Sequence, residues 1–499
     1  MNTNRKRRRS RLVSLALLGA ATVGAPSAQA YDAATTHAGL TEQAVIASHL
    51  HRVLGRRLAR PLGVFEPIAL HPEVLATDER RGLVTRLGAL DPACGYRPGA
   101  DDVASALAWT VAGSVLAKTP PRRMRNHYFD PSTGSGLRDD AAFDGFVQGV
   151  RQLMDRGDLR DAATGDASVL EGEPSLTWLE APQNDLGLSA FYGQLERAIA
   201  APDPVQRSSA LARALMALGG SLAVLEDAGN PAQVRNDFRA SYLHSEIGGP
   251  FDRRSTFESA VAEAYGISGV PAPREVVRRP SVRAYFTAPD GQGLADRTQR
   301  RFFSEGTLPD DGVVDYDTTA ADVERAARAS LVYGLPTVPR LELREPGVRH
   351  YVTAPDGPNG TPRRVLAYER VPGRVRFFLD GYVYADTARA LLPEIAGYAA
   401  GLIDHLLRAE ITLAPDGGRI RASVVAPAGH IRGGKLRLFA EDAEGRRTEL
   451  GGFAADGEGL DGASVVIPSG TRRVAALLRG QDDAGPVLAF GELLLPGRH

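Results

Sequence analysis

Cysteine is nearly absent from this sequence of 499 residues, which contains only Cys94. An intrachain disulfide needs two cysteines and is therefore excluded. A protein exported to an oxidising compartment commonly uses disulfides for stability. This chain has to depend on the burial of an apolar core or on bound metal ions instead.

Long hydrophobic runs are also scarce. The apolar run at residues 12–23 is too short to span a bilayer. It follows six basic residues within 5–11 and precedes Ala28-Gln29-Ala30, the order of a cleavable export signal. We predict a signal peptide at 1–30, a secreted or periplasmic protein and no transmembrane segment in the mature chain. A retained membrane anchor is the alternative.

The chain has no excess of basic residues, with 59 Lys and Arg against 60 Asp and Glu. Without the six basic residues of the signal, 53 basic residues face 60 acidic ones, a net charge of −7. Stable nucleic-acid binding is not expected, because phosphate backbones are bound by basic surfaces. A phosphodiester substrate stays compatible with this charge, since bound metals can supply positive charge locally.

The stretch at 218–238 is the most informative part of the chain. Its first half has the apolar spacing of a buried helix, and Gly229 and Pro231 end that helix. Ala223 and Asp227 lie four residues apart and share one face. Gln233 follows the turn, where a returning segment could face the same place.

Four further motifs contain polar residues typical of metal sites. His37 lies seven residues into the predicted mature chain, and it could also be a helix-capping or core histidine. Asp101 and Asp102 precede a predicted helix at 103–116, where they could simply be caps. His127 lies in an Asn-His-Tyr-Phe-Asp-Pro turn at 126–131, and Glu258 in Phe-Glu-Ser-Ala-Val at 257–261.

These motifs occur in the order found in the zinc-dependent phospholipase C family, which is related to the fungal zinc-dependent single-strand nucleases. The chain resembles that family over residues 31–409. The resemblance implies these metal ligands: Tyr31 through its backbone amine and carbonyl, His37, Asp101 or Asp102, His127, Asp227 and Glu258. Three positions at which the family has histidine are occupied by Ala223, Gln233 and Arg254.

The resemblance implies an exported hydrolase of phosphoric esters with a depleted metal centre. At most one or two zinc ions are expected, with Asp102 and Asp227 as the catalytic residues. The substrate would be a phospholipid or another phosphodiester, with peripheral membrane contact. Ala223, Gln233 and Arg254 favour an alternative, an inactive secreted binding protein on the same scaffold. An alanine side chain has no ligand atom, an amide is a poor zinc ligand and a guanidinium cannot be one.

The resemblance also implies the fold, a mostly α-helical domain of phospholipase C type at 31–410. Alternating polar and apolar residues near 340–385 predict a β excursion within it. After residue 410, short candidate strands separated by Gly, Asp and Pro turns predict a small β-sandwich of immunoglobulin type at 411–499. We interpret that domain as a binding or stabilising appendage.

Overall fold

The computed structural model describes residues 33–88, 90, 102–119, 121–138, 172–237, 257–266, 269–308, 312–313, 348–355, 362–371, 374–454 and 463–495. Its first eight α-helices are α1 (Ala38–Ala47), α2 (Leu50–Arg57), α3 (Thr77–Gly88), α4 (Ala106–Leu116), α5 (Ser175–Glu180), α6 (Leu188–Ala200), α7 (Pro204–Asp227) and α8 (Pro231–Val234). Four more follow: α9 (Phe257–Tyr265), α10 (Val282–Phe286), α11 (Leu294–Arg301) and α12 (Gly381–Leu406).

Helix α7 is the centre of the helical domain. The Asp203 side chain caps it by accepting hydrogen bonds from the Val205 and Gln206 amides at 2.7 and 3.1 Å. After Asp227 the chain turns, and the Asn230 side chain caps α8. The predicted buried helix and its end before Pro231 are confirmed, although α7 begins earlier than its apolar pattern suggests.

By length and hydropathy alone, α7 would qualify as a membrane span. However, 89% of its most apolar window is buried against other helices of the domain. Helices α4 and α6 flank it, and the long helix α12 closes the same core. Its apolar character is therefore explained by its position inside the protein.

Two helix boundaries differ from the sequence predictions. The amphipathic spacing of residues 40–58 predicts a single helix. The chain instead breaks between α1 and α2 at Ser48, whose backbone is extended and whose hydroxyl accepts the Leu50 amide at 3.2 Å. The helix expected from Val103 begins at Ala106 with Ser105 as its cap. Residues Val103–Ser105 instead form β2, which pairs antiparallel with β1 (Pro67–Ala69).

The predicted β excursion is a four-stranded antiparallel sheet. Its strands are β3 (Gly312–Val313), β4 (Arg349–Ala354), β5 (Arg363–Val371) and β6 (Arg374–Phe378), in the order β3-β6-β5-β4. Val352, Leu366 and Val375 form a small apolar core on it. Asp380 then caps α12, whose buried face returns the chain to the main helical core.

The C-terminal residues form a β-sandwich, as the sequence predicts. Its strands are β7 (Glu410–Asp416), β8 (Arg419–Val425), β9 (Lys435–Glu441), β10 (Arg447–Ala454), β11 (Ala463–Val466), β12 (Arg473–Asp482) and β13 (Gly485–Leu494). One parallel pair, Phe490 with Glu410, links the group β10-β9-β12-β13 to β7-β8-β11. Ile420 of one group and Leu438 of the other share one apolar core, so the two groups face each other.

Strand β10 contains a β-bulge between Glu449 and Gly451, which interrupts the alternation of its side chains. It begins at Arg447, a buried residue that attaches the sandwich to the helical domain. Arg447 donates hydrogen bonds to the Ile199 carbonyl at the end of α6 and to the carboxylates of Glu441 and Glu492.

Candidate functional site: a buried charge cluster around Asp227

Two closely packed helices bring together the carboxylate and the cation of the site. Helix α7 ends at Asp227, and Lys118 follows helix α4. A Cβ on Gly113 would lie 2.0 Å from the backbone of α7, and one on Gly219 would lie 1.7 Å from the backbone of α4. Only glycine allows this approach, which places Lys118 beside Asp227.

The Asp227 carboxylate is contacted by three side chains. Lys118 Nζ lies 2.9 Å and His37 Nε2 3.1 Å from Oδ1, while His127 Nδ1 lies 2.7 Å from Oδ2. All four residues are buried, and the most accessible, Lys118, is 3% exposed. The carboxylate is thus paired entirely within the protein.

A second carboxylate, Glu226, holds the other side of the His37 ring. Its Oε2 lies 2.5 Å from His37 Nδ1, and its Oε1 accepts the Thr41 hydroxyl at 2.7 Å. Both ring nitrogens of His37 therefore face a carboxylate oxygen. Thr41 lies where the sequence allows a helix-capping threonine, but its hydroxyl is bonded to Glu226 instead.

The pKa values of Asp227 and His127 follow from burial and from their contacts. Burial alone raises the pKa of Asp227, but Lys118, His37 and His127 outweigh it and hold this pKa well below its usual range. Burial lowers the pKa of His127 more than the bond to Asp227 raises it. Asp227 is therefore ionised and His127 neutral at neutral pH.

His37 and Glu226 hold one proton between them. Burial and the Lys118 charge lower the pKa of His37, but Asp227 and Glu226 outweigh them and raise it. Burial raises the pKa of Glu226 despite its contact with His37. Whichever side holds the proton, the pair has no net charge, and the Lys118–Asp227 pair has none either. The cluster as a whole therefore has no net charge.

A third buried carboxyl, Glu258, lies close enough for Lys118 and Asp227 to affect its pKa. Burial raises the pKa of Glu258 well above its usual value, which favours the neutral carboxyl. Asn230 Nδ2 donates to its Oε1 at 2.6 Å. Glu305, which contributes to the high pKa of Glu258, itself accepts the Tyr384 hydroxyl at 2.9 Å.

Two buried polar groups beside this cluster have no hydrogen-bond partner among the described residues. They are Nε2 of His127 and both amide atoms of Gln233. His127 and Gln233 lie close together. The Phe129 amide, two residues after His127, donates to the Gln233 carbonyl at 3.4 Å, and Gln233 belongs to α8, which Asn230 joins to α7. Because Nδ1 of the neutral His127 ring donates its proton to Asp227, Nε2 carries no proton and its lone pair can act as an acceptor.

The structure brings His37, His127 and Asp227 together, as the family resemblance implies. Glu258 and Gln233 lie at the edge of the same region. Ala223 is fully buried on α7 one turn before Asp227, so the two residues lie on the same face of the helix, as expected. The alanine side chain supplies no polar group to the cluster. Tyr31, Asp101 and Arg254 lie outside the described residues.

Asp102 does not lie in this cluster, which corrects its assignment as a catalytic residue beside Asp227. Its carbonyl accepts the Leu70 amide at 2.9 Å, and the next amide, of His71, donates to Ser209 Oγ at 2.9 Å. Ser209 lies near the start of α7 and Asp227 at its end, about 27 Å apart at 1.5 Å per residue. Because the Asp102 backbone is held near Ser209, its side chain cannot reach a metal bound to Asp227.

The residue that sequence reasoning missed is Lys118. It is one of three lysines in the chain, with Lys6 and Lys435, whereas arginine supplies the other basic residues. A lysine directly after the apolar helix α4 was a usable signal, because its compact ammonium fits a small buried site better than a guanidinium does. Glu226 was also missed, since an Asp beside it satisfied the family pattern.

The described residues do not fit the zinc centre that the resemblance implies. Among them, no three His, Cys, Asp or Glu side chains converge as metal ligands. His37 has both nitrogens against carboxylates. A zinc ion bound at about 2 Å to Asp227 Oδ1 would lie within about 5 Å of the Lys118 ammonium, a repulsion of about 7 kcal/mol at an effective dielectric of about 20.

No protein-family model matches the chain, and no curated protein matches it. Among solved structures, it is similar to the alpha toxin of Clostridium absonum at 10% identity, with 94% of this chain and 96% of that chain covered and a TM-score of 0.24. It is also similar to the alpha-toxin of an avian strain of Clostridium perfringens at 10% identity, with 93% and 99% covered and a TM-score of 0.21. TM-scores this low do not establish a shared fold.

Proposed function

We propose that this chain is an exported binding protein without hydrolytic activity, built on a scaffold that resembles zinc-dependent phospholipase C. The observation that supports it is the contact between Lys118 and Asp227. An ammonium held at 2.9 Å from this carboxylate supplies the positive charge that zinc supplies in the family. An ammonium cannot bind water as a Lewis acid. Lys118 in place of zinc therefore supports the folded structure but does not activate water for hydrolysis.

The burial of the cluster supports the same proposal. A hydrolytic site has to admit substrate and water to its reacting groups, whereas His37, Glu226 and Asp227 are each 0% exposed. Their polar atoms are paired with one another instead of being presented to a cleft. The cluster therefore has the geometry of a structural network that joins α1, α4 and α7.

A phosphodiesterase assay tests this proposal. Purified protein is incubated with bis(4-nitrophenyl) phosphate and with phosphatidylcholine vesicles, with and without added zinc. We expect no turnover above that of the Asp227→Asn variant under any condition. Zinc-dependent turnover in the wild type that Asp227→Asn abolishes would overturn the proposal.

One observation favours hydrolysis of phosphoric esters as a second candidate. His127 donates Nδ1–H to a carboxylate and keeps an unpaired Nε2, the arrangement in which histidine binds a metal or accepts a proton. In that case Nε2 would have to become accessible to substrate. A zinc-dependent activity lost in His127→Ala and retained in His49→Ala, a change of an exposed histidine, would favour this candidate.

A further inference from the structure

A second region of the helical domain has the features of a ligand site and shares no residue with the Asp227 cluster. It is a cavity of about 570 Å³ between the 274–279 segment, α11 and α12. This volume lies in the range of small-molecule sites. Four arginines line it, Arg274, Arg279, Arg297 and Arg301, against two carboxylates, Glu275 and Glu394.

The charge at the cavity is only partly compensated from within. Glu394 is contacted by both Arg297 and Arg301, so one carboxylate serves two guanidiniums. Arg279 is neutralised by Asp290, with contacts of 2.8 and 2.9 Å. Counting Asp290 with the lining side chains, four guanidiniums face three carboxylates, which leaves a surplus of one positive charge.

The walls of the cavity are fixed by close backbone contacts. A Cβ on Gly397 would lie 2.4 Å from the Glu275 carbonyl, and one on Gly401 would lie 1.7 Å from the Val277 carbonyl. These two glycines let the 274–277 segment lie directly on α12. Arg274 is thus placed at the cavity by the backbone, while its side chain is exposed and makes no hydrogen bond or ion pair with the residues that the structure describes.

Apolar groups line the remaining wall, including Ala390, Pro393 and the ring of Tyr398. An inorganic ion would leave this wall in contact with water. A molecule with an anionic group and an apolar body would satisfy both halves of the cavity, since guanidiniums recognise phosphate through paired hydrogen bonds.

We propose that this cavity binds a small organic phosphate, with the phosphate directed to Arg274 and Arg297 and the organic part to the Tyr398 wall. Glu394 acts as an internal anion that competes for Arg297. This inference goes beyond the proposed function and holds whether or not the protein hydrolyses phosphodiesters.

Calorimetric titration with inorganic phosphate, phenyl phosphate and phosphatidic acid vesicles tests the proposal. We expect phenyl phosphate to bind more tightly than inorganic phosphate. Vesicle binding as tight as that of phenyl phosphate would identify the ligand as a lipid, and its absence would identify a soluble ester. No binding of any probe to the wild type would overturn the proposal.

Three variants distinguish binding in this cavity from nonspecific binding to charged surface residues. Arg274→Gln should weaken phenyl phosphate binding about two- to fivefold, as for an exposed charge pair. Arg278→Gln, an exposed neighbour that does not line the cavity, should leave binding unchanged. Glu394→Gln should tighten binding by about fivefold or more, because the competing carboxylate is lost. Equal weakening in the two arginine variants, or weaker binding in Glu394→Gln with its fold intact by circular dichroism, would contradict the proposal.

Discussion

Lys118 Nζ and Asp227 Oδ1 lie 2.9 Å apart, and both side chains are removed from solvent. A buried carboxylate is costly unless a cation and hydrogen-bond donors compensate it. Here the compensation comes from one ammonium and two imidazole N–H groups. The arrangement compensates the Asp227 charge at the junction of α4 and α7, and it places Lys118 at the centre of the site.

Removal of the Lys118 ammonium should therefore strongly destabilise the folded protein. We expect Lys118→Met to lower the free energy of unfolding by about 3–5 kcal/mol, since it leaves the Asp227 carboxylate without its cation. Lys435→Met is the matched control, because that lysine is 59% exposed and makes only a long contact with Glu449. Its effect should stay below about 1 kcal/mol. Urea denaturation measures both.

A double-mutant cycle isolates the pair itself. Asp227→Asn removes the charge that Lys118 compensates, so the double variant Lys118→Met with Asp227→Asn should be clearly more stable than the sum of the single effects predicts. Additive effects in the same urea series would mean that the two side chains do not interact energetically.

The high pKa of Glu258 predicts a pH dependence of stability. The folded protein keeps a proton that the unfolded chain releases above about pH 4.5, so rising pH destabilises the wild type until its folded pKa is passed. Glu258→Gln keeps the acceptor for Asn230 and does not titrate. Its stability relative to wild type should rise by up to about 1.4 kcal/mol per pH unit above pH 5.

Denaturant unfolding at pH 5, 6, 7 and 8 measures that slope. Glu263→Gln, an exposed position on the same helix, is the control and should show a constant difference from wild type. A pH-independent effect of Glu258→Gln would show that this carboxyl is not held neutral by the fold.

The close contact of α4 and α7 can be tested with two glycines. Gly219→Ala places a methyl group 1.7 Å from the backbone of α4, so the helices have to separate and the variant should be strongly destabilised. Gly193→Ala in α6 meets nothing within 4 Å and should stabilise the protein by about 0.5–1 kcal/mol. Thermal unfolding of the two variants gives the comparison, and similar melting temperatures would contradict the packing described here.

Much of the architecture was predictable from the sequence because it depends on local patterns. The apolar spacing of α7, the Pro231 turn and the alternating strands after residue 410 each determine their own element. The break at Ser48 and the late start of α4 were not predictable in this way. The break at Ser48 combines a local bond to the Leu50 amide with the bond of the His49 amide to Asp404, which is distant in the sequence. The late start of α4 depends on the pairing of β2 with the distant strand β1.

The candidate site shows the same division. His37, His127 and Asp227 were found because each lies in a motif of the resembling family. Asp102 was misplaced because its motif is only two acidic residues, and the β1–β2 pairing directs it to the other end of α7. Lys118 belongs to no motif, and only the packing of Gly113 and Gly219 shows that it reaches Asp227.

The zinc content of the purified wild-type protein tests the central claim most directly. After dialysis against zinc and then against zinc-free buffer, we expect less than one zinc ion per chain and the same melting temperature with and without a chelator, because Lys118 already compensates Asp227. One or more tightly held zinc ions per chain, lost in both His37→Ala and His127→Ala, would contradict the claim that Lys118 has replaced the metal.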